Sequence, residues 1–183
     1  NLSDIRFLLG GISILAASSE GDLAQWFVVR DTASASGYRL KEIRQFDRSA
    51  EEGVSALVTE HRRKGFLALG SQGQLDIFHS TAHRRLLNEA LPLKHPAAMA
   101  ISPRANRLLV EGDDGNILEY AVHNEHPELS WSALWEKVWY ESYSEPAYVW
   151  QSSSASNDFE PKYSFAPLAF GTLKAAFYAM LIA

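Results

Sequence analysis

At 183 residues, 46% apolar and 21% charged, the chain has ordinary globular composition and length for one substantial domain plus an appendage. A net charge of −5 without any basic stripe speaks against a nucleic-acid or anionic-membrane surface, since both need a basic field. Cysteine is absent, which excludes disulfides, thiolate metal sites and a cysteine nucleophile but leaves the compartment open.

The chain opens inside a strand-like pattern, "SDIRFLLGG", with no initiating Met or targeting motif, and reads as a piece of something longer. A strand over Ile5–Leu9 leads into "ILAASSEGDLAQW" (Ile14–Trp26), and "YRLKEIRQF" (Tyr38–Phe46) supplies a further apolar stretch. The order then returns. Leu57–Thr59 precedes "FLALGSQGQLDIF" (Phe66–Phe78), and "HRRLLNEALPL" (His83–Leu93) follows it. Between them "HRRK" (His61–Lys64) falls at an expected hairpin turn and reads as solvated. A third round begins at Met99–Ser102 and continues into "LLVEGDDGNILEY" (Leu108–Tyr120).

The three central segments align without a gap on Gly21, Gly73 and Gly115, with an aliphatic two residues later (Leu23, Leu75, Ile117). An aromatic follows at Trp26, Phe78 and Tyr120. Each reads as a hairpin whose turn, "SSEG", "GSQG" or "GDDG", ends on a glycine free to take positive φ. Repeated units of this length and strand content predict β-propeller blades. The unit resembles the WD40-like propeller family, although the Trp-Asp dipeptide is missing. The expected fold is therefore all-β: a partial WD40-like propeller of about three four-stranded blades over 1–128. A simple meander of hairpins is the alternative. Three blades do not close a ring, so further blades lie upstream of Asn1, two chains combine as a homodimer, or the open edge is covered otherwise.

From Ser130 the period changes. "SWSALWEKVWYE" spaces Trp131, Leu134, Trp135, Val138 and Trp139 along one helical face, with Ser130 as N-cap. Trp131, Trp135 and Trp139 form a stripe suited either to a membrane interface or to packing across a sheet edge. "YSEPAYVWQSSSASNDFEPKY" (Tyr143–Tyr163) reads as linker, so that 129–163 is helix plus linker. "SFAPLAFGTLKAAFYAMLIA" (Ser164–Ala183) is apolar on all sides apart from Lys174 and reads as the start of a transmembrane helix. Its flank holds few positive charges, which fits the extracytoplasmic side.

The stretch from Tyr148 to Ala183 resembles the start of the conserved core of PstC-type permeases of phosphate ABC transporters. "WQSSSASNDFEPK" (Trp150–Lys162) is its most specific part, and "PLAFGTLKAAFYAMLIA" (Pro167–Ala183) is similar to the opening helix of that core. The resemblance implies a bacterial inner-membrane protein with this domain on the periplasmic side. It also implies as partners a second permease subunit, an ATP-binding subunit and a periplasmic phosphate-binding protein. The charges of that family's substrate path belong to later helices, and none is carried onto this chain.

Chemical motifs are weak. The pairs His79/His83 ("HSTAH") and His123/His126 ("HNEH") read as exposed loop histidines rather than metal ligands. "GDDG" (Gly112–Gly115) reads as a turn rather than a calcium loop. No Gly-x-Ser-x-Gly elbow, dinucleotide fingerprint or Walker sequence occurs, so neither a dinucleotide nor ATP is expected on this chain and no cofactor is assigned. Three functions remain: a non-catalytic docking or regulatory domain of a phosphate permease, a soluble protein-binding propeller, and a hydrolase built on a propeller channel.

Overall fold

A computed structural model describes residues 1–48, 52–93, 95–151 and 160–182. The protein is predominantly β. Strands β1 (Leu2–Phe7), β2 (Ser13–Ser18), β3 (Leu23–Arg30) and β4 (Tyr38–Gln45) form one antiparallel sheet in chain order. Strands β5 (Val54–Thr59), β6 (Gly65–Gly70), β7 (Gln74–His79) and β8 (Arg84–Ala90) form a second. The third holds β9 (Ala98–Ile101), β10 (Arg107–Glu111) and β11 (Ile117–Ala121).

This third sheet departs from the expected four strands. After β11 the Val122 amide still donates to Asn106 O at 2.9 Å, but the chain then turns back across the molecule. Asn124 O accepts from Arg63, and Leu129 O accepts from Arg84. The segment "HNEHPE" offers no apolar alternation and contains Pro127, so it has neither the side chains nor the full set of donors for a fourth strand.

Alternation along the strands explains the stacking. On β2 and β3 the buried positions are Ser13, Leu15, Ala17, Leu23, Gln25, Phe27 and Val29, every second residue. On β6 every residue is buried, because the strand is covered on both faces. Phe66 and Ala68 join Leu15, Leu23, Phe46 and Phe78 between the first and second sheets. Leu67 and Leu69 join Leu75, Ile101, Leu108 and Val110 between the second and third. Phe46 meets Phe66 edge-on at 4.8 Å, and Phe66 stacks on Phe78 at 5.2 Å. Such aromatic pairs add about 0.5–1.5 kcal/mol each to the burial of their area.

The first strands of successive sheets lie side by side, β1 by β5 and β5 by β9. Between β1 and β5, side chains replace the ladder. Asp4 Oδ2 accepts from the Leu57 amide at 3.0 Å, and Arg6 Nε donates to Leu57 O at 3.1 Å. The two outer faces of the stack stay uncovered: Ile5, Phe7, Val28 and Leu40 are exposed on the first sheet, Leu109 and Ile117 on the third.

Beyond the sheets come α1 (Trp131–Trp135), a two-stranded ribbon of β12 (Trp150–Gln151) and β13 (Lys162–Tyr163), and α2 (Ala166–Ile182). The helix expected to run on through Trp139 ends after a single turn. Its C-cap, Glu136, is extended, and Val138 pairs with Ala147 in both directions at 3.1 and 3.0 Å. That bridge and the burial of Val138 hold the backbone out of the helix.

Candidate functional site

The repeat glycines close three equivalent turns. The amides of Gly21, Gly73 and Gly115 donate to the carbonyls of Ser18, Gly70 and Gly112 at 3.1–3.2 Å, and their φ values are 102°, 96° and 76°. All three backbones lie where an L side chain is strained. The surroundings differ. A Cβ on Gly73 would sit 2.4 Å from Leu93 O, whereas one on Gly115 meets nothing within 4 Å. These are structural positions.

The polar side chains that converge belong to a different set. Glu141 lies beneath the first sheet and receives hydrogen bonds from Ser13 Oγ and, at 2.5 Å, from Lys64 Nζ. Lys64 also donates to Leu9 O. Gln25 Nε2 donates to Ser13 Oγ at 2.9 Å and Gln25 Oε1 accepts from Arg44 Nη1 at 2.8 Å, while Arg44 Nη2 reaches Trp139 O. Glu160 accepts from Thr81 Oγ1 and from the Glu141 amide, and Lys162 Nζ lies over the Tyr140 ring at 5.4 Å. This network joins β2, β3, β4 and two hairpin turns to Trp139, Tyr140, Glu141, Glu160 and Lys162. Two expectations are corrected by it. Lys64 of "HRRK" is buried rather than solvated, and Glu160 and Lys162 of the expected linker are buried, as are Tyr140 and Glu141 at the end of the expected helix segment. An ion pair shut away from water holds only when both partners are hydrogen-bonded, and these two are.

Burial sets the titration of the network. It raises the Glu160 carboxyl, a shift reinforced by Glu141 and opposed by the hydrogen bond from Thr81. It lowers Arg44 against the pull of Glu160 and Glu141. It pushes the Tyr140 hydroxyl up to about 12, with Glu160 and Tyr143 adding to the effect. His79 was expected in an exposed loop but is buried at the end of β7, and its pKa falls to about 3 through burial and then the charges of Arg63, Arg44 and Lys64. A neutral ring fits its contact, since Nδ1 accepts from the Ala82 amide at 3.3 Å. His83 sits in the following turn at φ 46°, with Nε2 facing Gln45 O. Among the described residues no three His, Asp or Glu side chains gather at metal-binding distance.

The tryptophan stripe does not survive as a stripe. Ser130 caps α1 as expected, its Oγ accepting from the Ala133 amide at 3.0 Å. Trp139 then leaves the other two. It packs edge-on to Phe27 at 6.4 Å, under the Lys41 ammonium, while Trp131 stays 81% exposed. Trp135 regroups with the base of α2, where its ring meets Phe165 at 5.7 Å. Trp150 meets Phe165 at 5.7 Å and Tyr163 at 6.0 Å. The Phe165 amide donates to Leu134 O at 2.7 Å and the Ser164 amide to Val149 O at 3.0 Å, fixing where α2 begins.

From this collar α2 carries apolar side chains on every side and buries none of them. Leu173, Met180, Leu181 and Ile182 are each at least two-thirds exposed. Lys174 Nζ folds back over the Tyr178 ring at 5.7 Å. No helix among the described residues is long and apolar enough to cross a membrane. With 17 residues, α2 is about 26 Å long against a hydrocarbon core of about 30 Å. The stretch Trp150–Lys162 that carries the permease resemblance lies mostly at 152–159, outside the described residues, as does Ala183.

Sequence reasoning missed Lys64, Arg44, Glu141 and Glu160 as a unit. The available signal was small: isolated charges beside aromatics, as in "WYES" and "FEPKY". Against known proteins, the chain matches no family model and no curated protein.

Proposed function

We propose that the chain is the extracytoplasmic part, with the start of the membrane-entering helix, of the permease subunit of a bacterial phosphate ABC importer. In this reading the stacked sheets are blades of a WD40-like propeller on the periplasmic side of the inner membrane. They serve docking or regulation, not chemistry. The partners are a second permease subunit, an ATP-binding subunit and a periplasmic phosphate-binding protein.

The observation that carries the reading is α2. A helix apolar all round that buries none of its residues in the fold is suited to an apolar surrounding, and a bilayer supplies one. Its base supports the same reading, because Trp135 and Trp150 meet Phe165 there and are partly exposed, and amphipathic rings favour the membrane–water boundary. The uncovered apolar faces of the first and third sheets support a propeller that continues beyond these three units. Arg44, Arg63 and Lys64 are committed to side chains and carbonyls within the fold, which argues against a phosphate cradle built from them.

The reading is tested in the transporter that contains this chain. Deleting residues 1–127 is expected to spare basal phosphate uptake more than partner docking or its regulation. Tight calorimetric binding of inorganic phosphate by the chain alone would replace docking with ligand sensing.

A further inference from the structure

The first and second sheets each end on a fourth strand, β4 or β8, but the third ends on β11. The Val122 amide bonds Asn106 O and the Gly112 amide bonds Asn116 O, which fixes the ladder between β10 and β11. By antiparallel alternation Leu118 and Tyr120 direct their backbone groups to β10, while Ile117, Glu119 and Ala121 direct theirs away from the sheet. Among the described residues that row is a free edge.

Beside it the cleft between the second and third sheets opens into a groove of about 500 Å³. Ile77, Leu86 and Leu87 line one side, and Leu108, Tyr120 and Val122 the other. A fourth strand on the third sheet would stand opposite β8 and cover Leu87, which is now 39% exposed. Two donors in the groove, the Tyr120 hydroxyl and Asn124 Nδ2, are buried with no hydrogen-bond partner among the described residues. Leaving such groups unpaired is costly, so main-chain carbonyls of an entering strand would be favoured beside this otherwise apolar lining.

The first unit supplies a precedent for what should enter, although in the second the equivalent residue, Ile77, faces Leu87. Glu119 stands four residues after its turn glycine, as Gln25 does in the first unit. Gln25 faces Arg44 on β4 and accepts a hydrogen bond from it at 2.8 Å. Glu119 Oε1 accepts from Arg107 Nη1 on β10 at 2.6 Å, so a strand completing the third sheet would set a basic residue on the other side of a carboxylate that can bridge two cations. The residues on either side of that basic one would point into the groove and need to be apolar.

We propose that the free edge of β11 and its groove take up an extended segment of a partner protein as a fourth antiparallel strand, with a basic residue between two apolar ones. Main-chain bonds to Ile117, Glu119 and Ala121 supply affinity, and the groove and Glu119 supply selectivity. The proposal rests on the docking reading above but not on the membrane anchor, so vesicle binding and strand capture can fail separately.

The test uses the full chain and two synthetic peptides in a threonine background, one with a Val-Arg-Val centre and one with Val-Glu-Val. The Val-Arg-Val peptide is expected to slow hydrogen exchange at the amides of Ile117, Glu119 and Ala121, and to bind roughly threefold more tightly than its partner peptide. Glu119→Lys, at an exposed site, should reverse that order, and Leu87→Asp should weaken both peptides by roughly tenfold. Unchanged exchange at the three amides, or a preference indifferent to Glu119→Lys, would overturn the proposal. So would protection that grows with protein concentration in the absence of peptide, because a second copy would then own the edge.

Discussion

Lys64 and Glu141, 77 residues apart in the chain, meet at 2.5 Å with side chains no more than 3% exposed. Their contact ties the hairpin turn of the second sheet to the segment that leads toward α2. Position in the sequence would place both in solvent, one at a turn and the other at the end of a short amphipathic helix. The fold instead closes over them.

Glu141→Gln is expected to cost about 3–5 kcal/mol, because it leaves the Lys64 ammonium buried without its counter-charge. The double variant Lys64→Met with Glu141→Leu should recover most of that loss, since an apolar pair of similar volume needs no desolvation of charge. Urea denaturation of the three proteins measures both. Equal destabilisation by the single and double changes would show that geometry, not charge, holds the segment.

Acid should loosen the protein through His79. Its folded pKa, about 3, lies below the ordinary 6.5, so the unfolded chain takes up the proton first as pH falls. The stabilisation is complete above pH 6.5 and is lost on acidification toward pH 3, by on the order of a few kcal/mol. Glu160 acts with the opposite sign. Its folded pKa is raised above 4.5, so its contribution is present below pH 4.5 and is lost as pH rises through the folded value. Melting temperatures across this range should show His79→Gln flattening the acid limb and Glu160→Gln flattening the upper one. Unaltered profiles would mean that neither group keeps its shifted state.

The repeat glycines should respond unequally. Gly115→Ala meets only the backbone strain of φ 76° and should cost about 1–2 kcal/mol. Gly73→Ala adds a contact 2.4 Å from Leu93 O, a backbone atom, and should cost more than Gly115→Ala by at least about 1 kcal/mol. Thermal unfolding of the two variants decides the order.

What the sequence disclosed was local. Alternation and turn chemistry are properties of neighbouring residues, so β2, β3, β6, β7 and the turns at Gly21, Gly73 and Gly115 could be placed from the chain alone. The end of α1 could not, because the competing bridge between Val138 and Ala147 is formed by tertiary structure. The missing fourth strand of the third sheet was visible only as an absence of pattern after Val122. The buried network was hidden for a different reason: Ser13, Lys64, Glu141 and Glu160 have no spacing in common, and only folding brings them together.

The central claim is that α2 enters a bilayer while the sheets stand in water. Flotation with phosphatidylcholine–phosphatidylglycerol vesicles tests it, using the full chain and a form ending at Phe165. Because α2 buries no residue, the truncated form should keep its strand content and stay in the aqueous fraction, while the full chain floats with the vesicles. A full chain that stays behind with the truncated one, its α2 amides protected by packing on the sheets, would contradict the account.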